Sequence, residues 1–281
     1  MSIPNGIELR QSVIKDYLNC PLFFKYKHVQ GIKPRWRHPN GIHGTILHFM
    51  LYHLHSSGWI SYFREYYVSM FDYLEFKHAP ECEIPVYWRQ SRKVMLASYV
   101  ANAEEVLTGY WQRRENRNTE IMISEQNFRV SIAGYMFSGR INQVRRNESG
   151  EIELVDFSSA KLAPNRAGLF NDLQLNLYAY ALTYGEVLIE KQWQTVNCQP
   201  DYLCKYHLRG HEIRKKRSPL GNAGEEKLAE PLFRVPYRAG RTNEFRNELL
   251  RLIADLKQPV QYPNPNFCQF CPYTNICLKR Y

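Results

Sequence analysis

Four cysteines constrain this chain more than any other feature. Cys268, Cys271 and Cys277 cluster near one end, and Cys20 lies near the other. The spacing C-x2-C-x5-C lets the thiolates of one loop converge on a single centre with little loop-closure cost. Three thiolates leave a closed zinc site or a cubane cluster one ligand short. Cys20 is the best candidate for the fourth because, like Cys271, it is followed directly by proline (Cys20-Pro21, Cys271-Pro272). Spacing alone leaves iron–sulfur and zinc both open. The tail around the three cysteines, YPNPNFCQFCPYTNICLKRY, is irregular and needs such a constraint to fold. Cys82, Cys198 and Cys204 read as buried thiols without a ligand. Seven unevenly spread cysteines fit a reducing compartment better than a disulfide framework.

The 281 residues suffice for one core with an inserted lobe. No apolar run approaches the length of a membrane span, so no membrane partner is expected. The opening MSIPNGIELRQ lacks the charged-then-apolar layout of a signal peptide, and the expected location is cytoplasmic. A formal net charge of +10 suits a polyanionic partner, and some of the 20 tyrosines could stack on exposed bases.

Periodicity sets the organisation. A short helix is expected from residue 10, capped by Ser12 and interrupted at Pro21. A second should cover Ile42 to Ser56, and residues 59–118 read as mostly helical. The pattern then turns to period two, giving strands at Met122 to Val130, Ile132 to Arg145 and Glu151 to Phe157. Asn147-Glu148-Ser149-Gly150 supplies a turn. A helix around Leu169 to Tyr184, one or two strands within 192–217, and an amphipathic helix from Thr242 to Lys257 complete a mixed α/β order.

These features together resemble a known family, the iron–sulfur branch of the RecB-like PD-(D/E)XK nucleases, which includes CRISPR-associated RecB-like exonucleases and AddB-type nuclease domains. In it one early and three late cysteines clasp a four-iron cluster, so the resemblance implies a 4Fe–4S cofactor on Cys20, Cys268, Cys271 and Cys277, with zinc the alternative. Gly44-Thr45-Ile46-Leu47-His48 is similar to the family's G-x-x-x-H helix, whose histidine ligates metal. Glu125 falls where relatives carry an acidic residue on the first core strand, and Gln174-Leu175-Asn176-Leu177-Tyr178 matches the Q-x-x-x-Y helix. The implied fold is a restriction-endonuclease-like PD-(D/E)XK core, a mixed sheet flanked by helices with a helical insertion and an iron–sulfur clasp. The corresponding division is 1–58 for the first core helices, 59–118 for the insertion, 119–260 for the sheet with its flanking helices, and 261–281 for the clasp.

Two positions depart from the family pattern. The aspartate of G-[RX]-I-D is replaced by asparagine in Ser138-Gly139-Arg140-Ile141-Asn142. The lysine of V-D-[FY]-K-[TS] is replaced by serine in Val155-Asp156-Phe157-Ser158. Carboxylates hold the Mg²⁺ or Mn²⁺ ions that orient water and offset developing charge on phosphorus. An amide brings no charge to such a site, and serine cannot supply a lysine's. Lys161 could reach back toward the position of Ser158. The expected function is therefore DNA binding on a RecB-like nuclease fold with an impaired cleavage site, holding ends or single strands for a processing complex with protein partners. Alternatives are an active exonuclease or endonuclease using His48, Asn142, Asp156 and Lys161, and a non-catalytic interaction module. Arg140 and the run Arg214-Lys215-Lys216-Arg217 are expected phosphate contacts.

Overall fold

The computed structural model of the chain describes residues 9–78, 83–113, 116, 118–160, 162–211, 231–238, 240–257 and 262–277. Leu9 and Arg10 form a two-residue strand, β1, that leads directly into helix α1 (Gln11–Asn19). Arg10, and not Ser12, is the N-cap, and it makes no side-chain cap. The pairing of β1 with the sheet orients this helix start instead. Pro21 lacks an N–H and disfavours helical geometry in the residue before it. Cys20 is accordingly extended (φ −165°, ψ 115°), and the short helix α2 (Pro21–Phe24) restarts with proline in its first turn.

Helix α3 (Pro39–Ser57) begins earlier than its apolar pattern suggests, because Pro39 is well suited to a first helical turn. It stops at Gly58, whose φ of +79° favours glycine. Its buried residues Ile46, Leu47, Met50 and Leu54 pack in one cluster with α4 (Phe63–Phe76) and α5 (Arg92–Gln112).

The sheet contains β2 (Glu120–Ile132), β3 (Tyr135–Arg146), β4 (Ile152–Ser158), β5 (Glu186–Ile189), β6 (Gln192–Thr195), β7 (Tyr202–His207) and β8 (Leu232–Pro236). Their order is β6-β5-β2-β3-β4-β7-β8, with β1 alongside β3. The β1–β3 and β4–β7 pairs are parallel and the others antiparallel. The turn between β2 and β3 is Ala133-Gly134, both at positive φ, so it lies beyond the break at Ser131 that alternation suggests. The next turn falls where expected, with the Asn147 side chain accepting the amides of Ser149 and Glu151.

Alternation along the strands gives the sheet a core on each face. Leu154 and Leu203 join a cluster with α7 (Leu173–Tyr184) and α8 (Arg241–Lys257). Val155, Phe157, Cys204 and Tyr206 point the other way, into the cluster of α3, α4 and α5. The helix expected from Leu169 is two pieces, α6 (Arg166–Leu169) and α7, because Asp172 caps a fresh start by accepting the amides of Gln174 and Leu175. A third, smaller cluster joins Cys20, Leu22, Phe23 and Tyr26 to Cys271 and Tyr273, just before α9 (Thr274–Cys277). Among the described residues no helix is long and apolar enough to cross a membrane.

Candidate functional site

Six elements bring polar side chains to one place beside the middle of the sheet. On β2, Glu125 takes φ +51°, a strained value for a residue with a side chain. The flanking pairs Ser124↔Gln143 and Gln126↔Ile141 set it opposite Asn142 of β3. Its Oε1 lies 2.9 Å from Nδ1 of His48 on α3, and its Oε2 lies 3.9 Å from Arg140. Burial pushes the His48 imidazole down, but the hydrogen bond and charge of Glu125, with Asp156 assisting, outweigh it and raise the pKa above the ordinary value. Asn142 is buried, and its Oδ1 accepts the backbone amide of Phe157 at 3.4 Å.

Asp156 on β4 is the most enclosed carboxylate of the group, at 5% exposure. Its Oδ1 accepts a hydrogen bond from Gln174 Nε2 at 3.0 Å, and the same nitrogen donates to Tyr178 Oη at 2.7 Å. Gln174 and Tyr178 are one turn apart on α7, so a single helix face supplies both. The other oxygen of Asp156 is 3.3 Å from Nζ of Lys205, which also donates to Asp172 Oδ2 at 2.7 Å. Burial raises the pKa of Asp156, Lys205 opposes that rise, and the Asp172 charge adds to it. Burial likewise pushes the Tyr178 hydroxyl up.

A cavity of about 450 Å³ opens beside these groups. Its inner wall includes His48, Glu125, Asn142 and Tyr178. Its rim carries Arg10 and Arg140, with Gln11 and Ser12 from the start of α1, and Asn40, Gly41 and Gly44 from the start of α3. Neither helix has a side-chain cap, and the first turns of both lie at the rim beside two guanidinium groups, the Gly41 amide being taken by the His38 carbonyl. Gly44 has open space where a Cβ would stand. This rim suits an anion, while the acidic groups behind it are paired with the protein's own cations.

The four cysteines expected to act together line one small cavity with Phe23, Tyr26 and Phe267. Phe23 packs edge-on against Phe267 and Tyr273, and Asn264 donates its backbone amide to Cys20 Sγ at 3.4 Å. Burial pushes the Cys271 thiol up to about 11, and the other three thiols add to that rise. Cys198 and Cys204 are buried elsewhere as free thiols. Among the described residues no group of three or more His, Cys, Asp or Glu side chains is arranged to hold a metal ion.

The structure thus gathers His48, Glu125, Asn142, Asp156, Gln174 and Tyr178. Arg140 stands exposed at the rim. Ser158 ends β4, half-buried, and accepts the amide of Ala160 at 3.4 Å. Lys161, Cys82 and the run Arg214-Lys215-Lys216-Arg217 lie outside the described residues. Sequence reasoning missed Arg10, Asp172 and Lys205. Asp172 carried a signal, since an aspartate just ahead of an apolar helical pattern is a common N-cap. Lys205 carried only a weak one, as a lone charge inside the buried run Leu203-Cys204-Lys205-Tyr206.

The sequence matches the family described as the PD-(D/E)XK nuclease superfamily over residues 8–278. No curated protein matches it. Among solved structures it is similar to the one described as "Crystal structure of SSO0001", with 14% identity, 96% of each chain covered and a TM-score of 0.34. That superposition is too loose to add to the fold described above.

Proposed function

Because the chain belongs to the PD-(D/E)XK nuclease superfamily, we propose that it holds DNA ends or single strands for a processing complex and is itself impaired in cleavage. Nucleases of this superfamily commonly work with Mg²⁺ or Mn²⁺, which needs carboxylates turned toward the ion. The residues here do not fit that role. Asn142 brings no charge and uses its oxygen on the Phe157 amide, and His48 is tied to Glu125. The observation that carries the proposal is the state of Asp156, whose two oxygens face the Gln174 amide and the Lys205 ammonium. The rim of Arg10, Arg140 and two uncapped helix starts supports backbone-phosphate binding in front of this quiet interior.

Labelled single- and double-stranded oligonucleotides, incubated with Mg²⁺ or Mn²⁺, test the reading. Expected is retention that weakens steeply with salt, without cutting. Cutting that Asp156→Ala abolishes would overturn it in favour of an active nuclease. Failure to retain DNA at low salt would favour an interaction module.

The four thiols complete the proposal as a [4Fe–4S] clasp. Their shared cavity and aromatic walls support it. Anaerobically purified protein should be brown and contain iron and acid-labile sulfide. A colourless protein with stoichiometric zinc would overturn the cluster and keep the clasp.

A further inference from the structure

We propose that the Lys205 ammonium is a tethered cation, seated between Asp156 and Asp172 so that it weakens the binding of a divalent ion to Asp156. The inference rests on the reading above in taking Asp156 as the carboxylate that would otherwise hold the ion.

The sheet itself delivers this lysine. Strands β4 and β7 are parallel, and their register pairs Asp156 directly with Lys205. Residues two apart on a strand share a face. Leu154 and Leu203 enter the α7 cluster, so Asp156 and Lys205 emerge beside them under the start of α7. There the cap residue Asp172 meets the ammonium at 2.7 Å, with Asp156 at 3.3 Å. Lys205 is only 20% exposed, and an ammonium that has lost most of its water is stable only with such partners.

The same geometry works against a metal. An Mg²⁺ or Mn²⁺ ion on Asp156 would sit roughly 2 Å from its oxygens, and so within a few ångströms of a fixed positive charge. Gln174 presents an N–H, and no acceptor, to the other oxygen. Asn142 adds no compensating charge.

Mn²⁺ binding, read from the free-ion electron paramagnetic resonance signal, tests the proposal on the full chain. Wild type should bind Mn²⁺ weakly at this site. Lys205→Met should bind at least about tenfold more tightly, because a cation leaves and two carboxylates remain. Adding Asp156→Asn to Lys205→Met should abolish the gain. Equal affinity in wild type and Lys205→Met, or a gain that survives Asp156→Asn, would overturn the proposal. If Lys205→Met does not fold, the wild type still decides. Paramagnetic broadening of the Lys205 side-chain resonance at stoichiometric Mn²⁺ would overturn the tethered cation, and a sharp resonance supports it. DNA retention and cutting are read separately, so either conclusion can fail without the other.

Discussion

At Glu125 the backbone leaves the strand conformation, and that departure lets the carboxylate turn to His48 while its neighbours stay in the ladder. Such strain persists only where surrounding structure enforces it. The His48–Glu125 pair is thus a built feature of the inner wall, and its charge can be tested directly. With Glu125→Gln the largest influence raising the His48 pKa is gone, burial dominates, and the imidazole should titrate below its ordinary value. A histidine-selective NMR titration of the variant beside the wild type checks this, and an unchanged midpoint would refute it. Motifs made Asp156, Gln174 and Tyr178 legible in the sequence because each lies within one strand or one helical turn. Lys205 was not legible. Its partner lies 49 residues earlier in the chain, and only the β4–β7 register brings the two together.

The element that organises this site is α7. Asp172 caps it, Gln174 and Tyr178 present one face to Asp156, and the opposite flank packs on α8. It ends where Gly185 passes close to β2. A Cβ there would lie 2.6 Å from the Arg129 carbonyl oxygen and 2.8 Å from that of Ala181. Gly185→Ala should therefore destabilise the protein by about 1–3 kcal/mol, measured by urea unfolding. A loss within error would mean that the α7–β2 approach is looser than it looks. Sequence periodicity found α3, β3, β4 and α8, whose apolar patterns are long. It missed the β5–β6 hairpin as a unit. The turn there is Glu190-Lys191, both at positive φ, with neither the glycine nor the asparagine that normally announces such a turn. It also missed β1, because two residues carry no period.

Across the whole molecule, the helical cluster is tied together by histidines held neutral. His43 reaches Tyr67 at 2.6 Å and Asn102 at 3.2 Å, and His55 reaches Tyr110 at 2.6 Å. Burial pushes both imidazoles down to about 4. The unfolded chain takes up those protons near pH 6.5, so it binds more protons than the folded chain between pH 6.5 and 4. Stability should therefore fall as pH drops through that window, by about 2 kcal/mol per histidine at pH 5. His48 acts with the opposite sign, since its raised pKa adds stability that is lost as pH rises through that pKa. Thermal melts at pH 7.5, 6 and 5 check the sum, and His55→Gln should flatten the decline. A flat profile in the wild type would show that these imidazoles titrate in the folded chain as they do in the unfolded one.

The thiol cavity has a consequence of another kind. Cys20 and its partner Asn264 are 244 residues apart, so the contacts of the cavity close on themselves almost the entire polypeptide. Joined through a common centre, the four thiols turn a linear polymer into a ring. The unfolded ring has far fewer conformations than the unfolded line. For a loop of this length the difference is on the order of 5 kcal/mol in favour of the folded form. Loss of such a centre would therefore change the topology of the molecule before it changed any contact at the rim of Arg10 and Arg140.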